Sequence, residues 1–321
     1  MPIHCVVIPL LNEEAVIAVL IARLEKLAKS LLPDTTEFIF VNDGSTDQTA
    51  FLLDKVAQDN SAYKVIHLSR NFGHQIAITA GIEHASGDTV TIIDADLQDP
   101  PEVILDLVAK WREGYEVVYA VRNSRLGESQ FKLWTAALFY RLLRSLTNVD
   151  IPLDTGDFRL MDRKVVDAFL QIKERQRFVR GLIPWLGFRQ TGVLYDRAPR
   201  EFGTTHYPFR KMVKFAMDGV CSFSTVPLRG AIYLGLFSAA LAIAIGIWAL
   251  YIKIATNEAI QGWTSVMLVM LFLGGVQLAT LGVLGEYLGR TYEEVKQRPL
   301  YLIDRCMGFA KEIKPVLHSH R

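Results

Sequence analysis

The stretch Thr89-Val90-Thr91-Ile92-Ile93-Asp94-Ala95-Asp96-Leu97-Gln98-Asp99-Pro100-Pro101 joins an apolar run to two carboxylates that stand one residue apart. The run from 89 to 93 predicts a buried strand, and residues i and i+2 of an extended segment point to the same side. Asp94 and Asp96 can therefore converge just beyond the strand. Two close carboxylates repel each other unless a cation lies between them, and a divalent ion with oxygen ligands is the usual partner. The stretch predicts a metal site.

The same stretch has a second interpretation, in which its acidic residues only begin the next helix. Asp99 precedes Pro100 and Pro101, and an aspartate before a helix-initiating proline is a common N-cap. We expect Asp99 to cap this helix, which leaves Asp94 and Asp96 without such a structural role. The metal interpretation is therefore preferred, since acidic pairs at strand ends favour functional sites.

Strand and helix patterns alternate through the region that precedes residue 120. Such alternation is typical of a Rossmann-like, mostly parallel sheet with helices on both faces, in which ligands bind at the carboxyl ends of the strands. Strands are predicted at Ile3–Pro9, Glu37–Val41, Tyr63–Leu68, Thr89–Ile93 and Glu116–Ala120, and helices at Glu13–Lys29 and Thr46–Asp59.

Polar residues follow three of these strands and should meet at one edge of the sheet. Glu13 follows the first strand, and Asp43 follows the second. Carboxylates there suit a base or a ribose better than a phosphate, which they would repel. Glu13 could equally be a first-turn helix residue, and Asp43 could belong to a plain turn. The chain has neither G-x-G-x-x-G nor G-x-x-x-x-G-K-[ST], which argues against a dinucleotide oxidoreductase and a P-loop ATPase.

Composition narrows the class of protein further. The chain has 321 residues, enough for about two domains. The net charge of +1 gives no signal for nucleic acid binding. Its three cysteines are scattered, which argues against a disulfide framework or a zinc site. The N-terminus lacks a basic segment before its short apolar run, so we expect a strand there, not a signal peptide, and a cytoplasmic location for this half.

Two long apolar runs predict a transmembrane hairpin. Residues 230–252 and 263–285 contain no charged side chain, and each run exceeds the roughly 20 residues that cross a bilayer. Basic residues flank the pair on its outer sides, whereas the connecting loop has only Lys253. The positive-inside rule then places both termini in the cytoplasm, as an integral protein of the inner membrane. The flanking basic residues are Arg210, Lys211, Lys214, Arg229, Arg290, Lys296 and Arg298.

Residues 209–227 precede the hairpin and contain an amphipathic pattern. Apolar residues recur at helical spacing from Phe209 to Val220, with basic residues elsewhere on the helix. This pattern indicates an interfacial helix on the inner leaflet, although an ordinary core helix remains open. The predicted organisation is a catalytic domain at 1–208, this helix at 209–227, the hairpin at 228–290 and a cytoplasmic tail at 291–321.

Three blocks of the chain resemble the signature blocks of family 2 glycosyltransferases. They are Pro9-Leu10-Leu11-Asn12-Glu13-Glu14, Asn42-Asp43-Gly44-Ser45-Thr46-Asp47 and Asp94-Ala95-Asp96-Leu97-Gln98-Asp99-Pro100-Pro101. The similarity runs from about residue 3 to residue 300 and is greatest to the polyprenyl-phosphate glycosyltransferases. That group includes dolichyl-phosphate mannose synthase and the bactoprenol glucosyltransferases. The resemblance implies a GT-A-like α/β fold.

The resemblance also implies roles on the donor side of the site. Pro9, Leu11, Glu13 and Asp43 would hold the nucleoside, and Asp94 would contact the nucleotide sugar. Asp94, Asp96 and Gln98 would hold Mg²⁺ or Mn²⁺ with the diphosphate. Asn42 stands where the family frequently has an aspartate, and His74 stands where it frequently has a lysine.

On the acceptor side, the resemblance implies Asp157 as a candidate base, and it names Asp96 and Asp157 as the expected catalytic residues. A lipid monophosphate is already largely ionised at neutral pH, so Asp157 could instead orient arginines. Asp154 could fill this position, and a structural Asp157–Arg159 pair is also open. An anionic acceptor needs cations, although a solvated basic face would explain the same residues. The expected acceptor-phosphate ligands are Arg122, Lys132, Arg159, Arg197 and Arg200.

The implied reaction is inverting transfer of a hexose from a nucleotide sugar to polyprenyl phosphate at the cytoplasmic face of the bilayer. UDP-glucose and undecaprenyl phosphate are the leading substrates. One alternative is a processive polysaccharide synthase, which usually has a Gln-x-x-Arg-Trp block and more spans than two. A second is a non-catalytic membrane docking or transport-assembly protein. A homo-oligomer could form through Gly274, Gly275 and Gly282, which permit close helix packing.

Overall fold

The computed structural model describes residues 1–123, 155–175, 177–197, 224–256 and 262–309. The chain divides into two compact units, one formed by Met1–Ala216 with Arg298–Arg321 and the other by Met217–Gln297. The predicted interfacial helix falls almost wholly outside the described residues, and so do Lys132, Asp154 and Arg200.

The first unit is built on one sheet that contains eight strands of the described chain, in the order β7-β5-β6-β4-β1-β2-β3-β8. The strands are β1 (Ile3–Leu10), β2 (Thr35–Asn42), β3 (Tyr63–Leu68), β4 (Thr89–Ile92), β5 (Val117–Arg122), β6 (Thr155–Asp162), β7 (Gln190–Tyr195) and β8 (Ile303–Met307). The helices of this unit are α1 (Ile17–Ser30), α2 (Thr49–Asp59), α3 (His74–His84), α4 (Ile104–Arg112), α5 (Arg163–Gln171) and α6 (Val179–Trp185).

The α/β fold is confirmed, and all five predicted strands form. Seven of the eight residues of β1 are buried, as its continuous apolar run predicts for a central strand covered on both faces. Helix α1 buries Ile17, Leu20, Leu24 and Leu27, a spacing that places them on one helical face. Both predicted helices begin later than expected, at residues 17 and 49, because the preceding residues form loops.

The sheet is more mixed than the sequence suggested. β1, β2, β3 and β4 run parallel, but β6 lies antiparallel between β4 and β5. At the opposite edge β8 pairs antiparallel with β3. The segment expected as a C-terminal tail therefore supplies an edge strand of this sheet.

The second unit contains two long helices, α7 (Val226–Thr256) and α8 (Trp263–Lys296). Both are long and apolar enough to cross a membrane, with mean hydropathies of 2.1 and 2.0 over their candidate spans. The candidate spans are Val226–Ile252 and Leu268–Lys296, and they overlap the two apolar runs of the sequence.

Candidate active site

A cavity of about 520 Å³ opens at the carboxyl ends of β1, β2 and β4. This edge is where an α/β sheet binds its ligands. The structure brings every predicted donor-side residue except Gln98 into its wall, together with residues from the loop that precedes α3. The lining includes Pro9, Leu11, Glu13, Asp43, Asp94 and Asp96, with Asn71, Gly73 and His74.

The loops that follow β1 and β2 are fastened to each other. Asn12 Oδ1 accepts a hydrogen bond from the Thr46 amide at 2.8 Å, and the Asn12 amide donates to Ser45 Oγ at 3.0 Å. The Glu13 amide donates to Thr49 Oγ1 at 2.9 Å. These bonds satisfy backbone groups that no strand or helix pairs, and they fix the wall that carries Glu13.

Asp43 holds the loop before α3. Its carboxylate oxygens accept hydrogen bonds from the Phe72 amide at 2.7 Å and the Gly73 amide at 2.9 Å. The side chain is buried, and this burial raises the pKa of Asp43 although both amides favour the charged form. Asp43 therefore joins two walls of the cavity, in addition to any contact it makes with a ligand.

The residues after β4 alternate in burial as the sequence predicted. Asp94, Asp96 and Gln98 are partly exposed, whereas Ala95, Leu97 and Asp99 are buried. The backbone turns at Leu97, which has a φ of +58°, and the Gln98 amide donates to Asp96 Oδ1 at 3.2 Å. Asp94 and Asp96 consequently lie together in the cavity wall.

The chemistry of this group fits a divalent cation. Oδ1 of Asp94 is buried and accepts no hydrogen bond from the described residues, and burial raises the pKa of this carboxyl to about 6. The described chain contains no group of three His, Cys, Asp or Glu residues arranged to hold a metal ion. The protein would therefore supply two carboxylates and the Gln98 amide. Hard cations such as Mg²⁺ take such oxygen ligands and complete their shell with substrate phosphates and water.

Asp157 occupies the centre of a charged cluster. Arg180 donates from Nε and Nη2 to its two carboxylate oxygens, each at 2.9 Å, and Gln75 Nε2 donates to Oδ2 at 3.0 Å. Burial alone would raise the pKa of Asp157, but Arg180 and the hydrogen bond from His74 hold it well below its usual range. The carboxylate is therefore ionised throughout the physiological pH range and is a weak proton acceptor.

His74 lies between the two acidic groups of the site. Its Nε2 is 3.3 Å from Asp157 Oδ2 and 3.5 Å from Asp94 Oδ1. Burial would lower the pKa of His74, but the two carboxylates raise it. The raised pKa favours the protonated, cationic form of His74, which stands where the family frequently has a lysine. His74 also connects Asp94 with Asp157.

Asp99 is not the helix cap that the sequence suggested. The turn at Pro101–Val103 has Pro100 at its N-cap position and no side-chain cap. Asp99 instead accepts hydrogen bonds from the Tyr195 hydroxyl and from Arg197 Nε, the latter at 3.2 Å. Arg122 Nη2 lies 4.0 Å from its other oxygen. This arrangement has an electrostatic cause, because a buried carboxylate needs cationic partners more than a solvated helix end needs a cap.

Among the expected acceptor ligands, the structure separates Arg159 from Arg122 and Arg197. Arg159 lies on β6 with only 3% of its surface exposed, and Nη2 donates to the Gly156 carbonyl at 3.0 Å. Burial lowers the pKa of Arg159 to about 10. A phosphate outside the protein cannot reach this guanidinium, so the expected contact is not supported. Among the described ion pairs, Asp157 is paired with Arg180 and not with Arg159, the structural alternative that the sequence left open.

Gln75 and Arg180 were missed as site residues. Gln75 Oε1 accepts from the Val179 amide at 3.1 Å, which fixes the amide and ties α3 to the start of α6. Arg180 stands in a Gln-Arg-Phe-Val-Arg block that fails the pattern of processive synthases. The sequence signal for Arg180 was a second arginine, after Arg177, next to an apolar segment. This pattern is too common to indicate a site.

Comparison with known proteins decides the family. The model of Glycosyl transferase family 2 matches residues 5–170, which include most of β1, all of β2, β3 and β4, the Asp94–Asp96 pair and Asp157. The chain belongs to glycosyl transferase family 2. It is 49% identical to an uncharacterized glycosyltransferase of Bacillus subtilis, over 95% of this chain and 94% of that protein. It is 40% identical to a bactoprenol glucosyl transferase of Shigella flexneri encoded by prophage SfII, over 93% and 96% of the two chains.

The glycosyltransferase also resembles solved structures. A mannosyl-3-phosphoglycerate synthase from Rubrobacter xylanophilus aligns over 68% of this chain and 72% of that chain, with 18% identity and a TM-score of 0.49. The family match and the mixed sheet agree with the GT-A-like fold expected of this enzyme.

Proposed function

We propose that this glycosyltransferase transfers a hexose, with glucose the leading candidate, from a UDP-sugar to polyprenyl phosphate. The proposal is carried by the cavity in which the Asp94–Asp96 pair and the predicted nucleoside residues meet, with His74 linking the pair to Asp157. The names of the bactoprenol glucosyl transferases support the acceptor, since they align with nearly the whole chain. Undecaprenyl phosphate is the leading acceptor.

The two long apolar helices support a reaction at the membrane. They would cross the inner membrane with both termini in the cytoplasm, as the distribution of basic residues predicts. Anchoring raises the local concentration of a lipid acceptor without participating in the chemistry.

On the donor side, the wall formed by Pro9, Leu11 and Glu13 binds the nucleoside, and Asp43 keeps that wall fixed to the loop before α3. A Mg²⁺ or Mn²⁺ ion held by Asp94, Asp96 and Gln98 would neutralise the charge that develops on the leaving diphosphate. Oδ1 of Asp94 is buried and accepts no hydrogen bond from the described residues, which supports this assignment.

The reaction needs little proton transfer by the protein. An oxygen of the lipid phosphate attacks the anomeric carbon, the bond from that carbon to the diphosphate breaks, and UDP leaves with the electron pair. Attack from the opposite side inverts the anomeric configuration. The acceptor is already largely ionised, because its second pKa is about 6. Asp157 would therefore act by positioning Arg180 and His74, which agrees with its strongly lowered pKa.

The acceptor phosphate would meet cations that buried carboxylates hold in place. Arg180 is paired with Asp157, while Arg122 and Arg197 share Asp99. A phosphate that enters this region gains charge-assisted hydrogen bonds from these guanidinium groups. Lys132 and Arg200 remain predicted members of the group.

The test is transfer of radiolabelled sugar from a panel of UDP- and GDP-sugars to undecaprenyl phosphate in detergent, with and without Mg²⁺ or Mn²⁺. Wild-type protein should produce lipid-extractable label that requires the metal. Asp96→Ala should lower the rate by at least about 100-fold, because it removes electrostatic stabilisation of the leaving group. The matched control is Asp106→Ala, which removes an exposed carboxylate from α4 and should leave the rate unchanged.

Three other results would contradict the proposal. Label in a water-soluble polymer would favour the processive synthase. Folded protein that binds UDP but transfers no sugar would favour the non-catalytic role, and equal rates for both aspartate variants would remove Asp96 from the site.

A further inference from the structure

A polar chain runs beneath the turn that follows β2. Asn42 is the last residue of β2 and is buried. Its Oδ1 accepts a hydrogen bond from the Ser45 amide at 3.0 Å, which closes the turn containing Asp43. Its Nδ2 donates to Nδ1 of His67 at 2.9 Å. The orientation of the Asn42 amide therefore depends on a histidine of the neighbouring strand.

The side chain of His67 is in turn connected by hydrogen bonds to residues of α2 and β8. Because Nδ1 accepts from Asn42, the proton of the neutral ring lies on Nε2, which donates to Asp54 Oδ1 at 2.9 Å. The other carboxylate oxygen of Asp54 accepts from Arg305 Nη2 at 2.6 Å. Each group has a donor or acceptor role that its neighbours fix, and such networks have one satisfied arrangement.

The strand register places three of these residues in one row. Asn42 on β2 pairs with His67 on β3, and His67 pairs with Arg305 on β8. Arg305 is therefore aligned with the turn residue although the two are far apart in the sequence. Asp54 completes the connection from α2, which packs on this end of the sheet.

We propose that Arg305, Asp54 and His67 are positioning residues that set the Asn42–Ser45 turn for nucleotide binding. This inference rests on the proposed function, in which Asp43 of this turn fixes the nucleoside-binding wall to the loop before α3. The position of the turn also affects the loop before α3, because Asp43 accepts hydrogen bonds from the amides of Phe72 and Gly73 at the cavity. A change at β8 should therefore alter affinity for the donor.

The Arg305–Asp54 pair is partly exposed, so an effect of Arg305 on positioning can be measured without a large loss of folding stability. About half of the Arg305 side chain and a fifth of that of Asp54 are accessible, and exposed ion pairs contribute little to folding. Loss of the guanidinium would leave Asp54 free to rotate away from His67. The Asn42 amide could then turn over and lose the bond from Ser45.

The experiment measures UDP binding to the full-length protein in detergent by titration calorimetry, together with donor KM and kcat. Arg305→Ala should raise the Kd for UDP and the donor KM by about fivefold, the effect of weakening one hydrogen bond in the turn, with kcat nearly unchanged. Arg305→Lys retains a cation and should restore most of the affinity. The matched control is Lys64→Ala, which breaks a less exposed ion pair, with Glu37, away from the turn and should leave UDP binding unchanged.

Equal UDP affinity in wild type and Arg305→Ala would overturn the inference and leave the proposed function intact. Absence of UDP binding by wild-type protein would overturn both. Should Arg305→Ala fail to fold, Asp54→Asn takes its place, because it keeps the volume and removes the charge that joins Arg305 to His67. It should also raise the Kd for UDP, and an unchanged Kd would contradict the positioning role.

Discussion

The ion pair of Asp157 with Arg180 combines a buried carboxylate with a partly exposed guanidinium. The carboxylate is only 1% exposed and has Gln75 and His74 as further donors. Such a group costs free energy to bury and is retained where its field or its hold on a partner is needed. The geometry indicates that Asp157 and Arg180 act as a unit, in which Asp157 contributes by orienting the groups that it contacts.

A double-mutant cycle tests this unit. Asp157→Asn and Arg180→Gln should each lower kcat by about 100-fold, and the double variant should be about as slow as either single one, because each change removes the same arrangement. The measurement is transfer at saturating donor and acceptor. Multiplied effects in the double variant would show that the two residues act separately, for example if Asp157 took up a proton.

At the scale of elements, the shape of the cavity depends on how closely the loop after β2 approaches the loop before α3. Gly44 has a φ of +68°, and a Cβ at this position would lie 2.4 Å from the carbonyl carbon of Arg70 and 2.5 Å from the Asn71 nitrogen. The loop after β2 can therefore contact the loop before α3 only with a glycine there. The hydrogen bonds that Asp43 accepts depend on the same approach.

Gly44→Ala should consequently weaken UDP binding by at least about tenfold, because the displaced backbone disturbs the cavity. Gly187→Ala is the matched control, since Gly187 has a φ of +75° but a Cβ at this position would meet no atom within 4 Å. The control should lower stability by about 1 kcal/mol from backbone strain without changing UDP affinity. Calorimetry and thermal unfolding measure the two effects, and similar UDP affinities in both variants would contradict the prediction.

The sequence predicted the elements that carry continuous apolar runs and missed those that depend on distant partners. β1 to β5 and the carboxylate pair after β4 were found, because burial on both faces and strict alternation leave a local pattern. Only Ile303 of the five residues of β8 is buried, so its pairing with β3 had no local signal. Arg180 and Asp99 have partners that are distant in sequence, and a single chain cannot reveal such pairs.

At the scale of the whole molecule, the strand order places residues from both ends of the chain in one sheet. β8 follows the second long apolar helix, yet it covers the edge of β3. An uncovered edge offers unpaired backbone groups to other chains and favours aggregation.

A chain that ends at residue 297 should therefore aggregate, and its soluble fraction should show an apparent Tm lower by at least about 5 °C, because Ile303 is no longer buried and the edge loses its hydrogen bonds. A chain that ends at residue 309 keeps β8 and serves as the control. Thermal unfolding in detergent and size-exclusion chromatography measure both variants. Equal behaviour of the two truncated chains would show that the edge strand is dispensable.

The position of β8 also sets an order of events during synthesis. Ribosomes deliver the N-terminal strands first, and domains tend to fold as they emerge. Here the sheet stays incomplete until both long apolar helices have been translated and the last strand has left the exit tunnel. Completion of the sheet therefore follows translation of both helices, so a chain interrupted within them should yield no finished sheet.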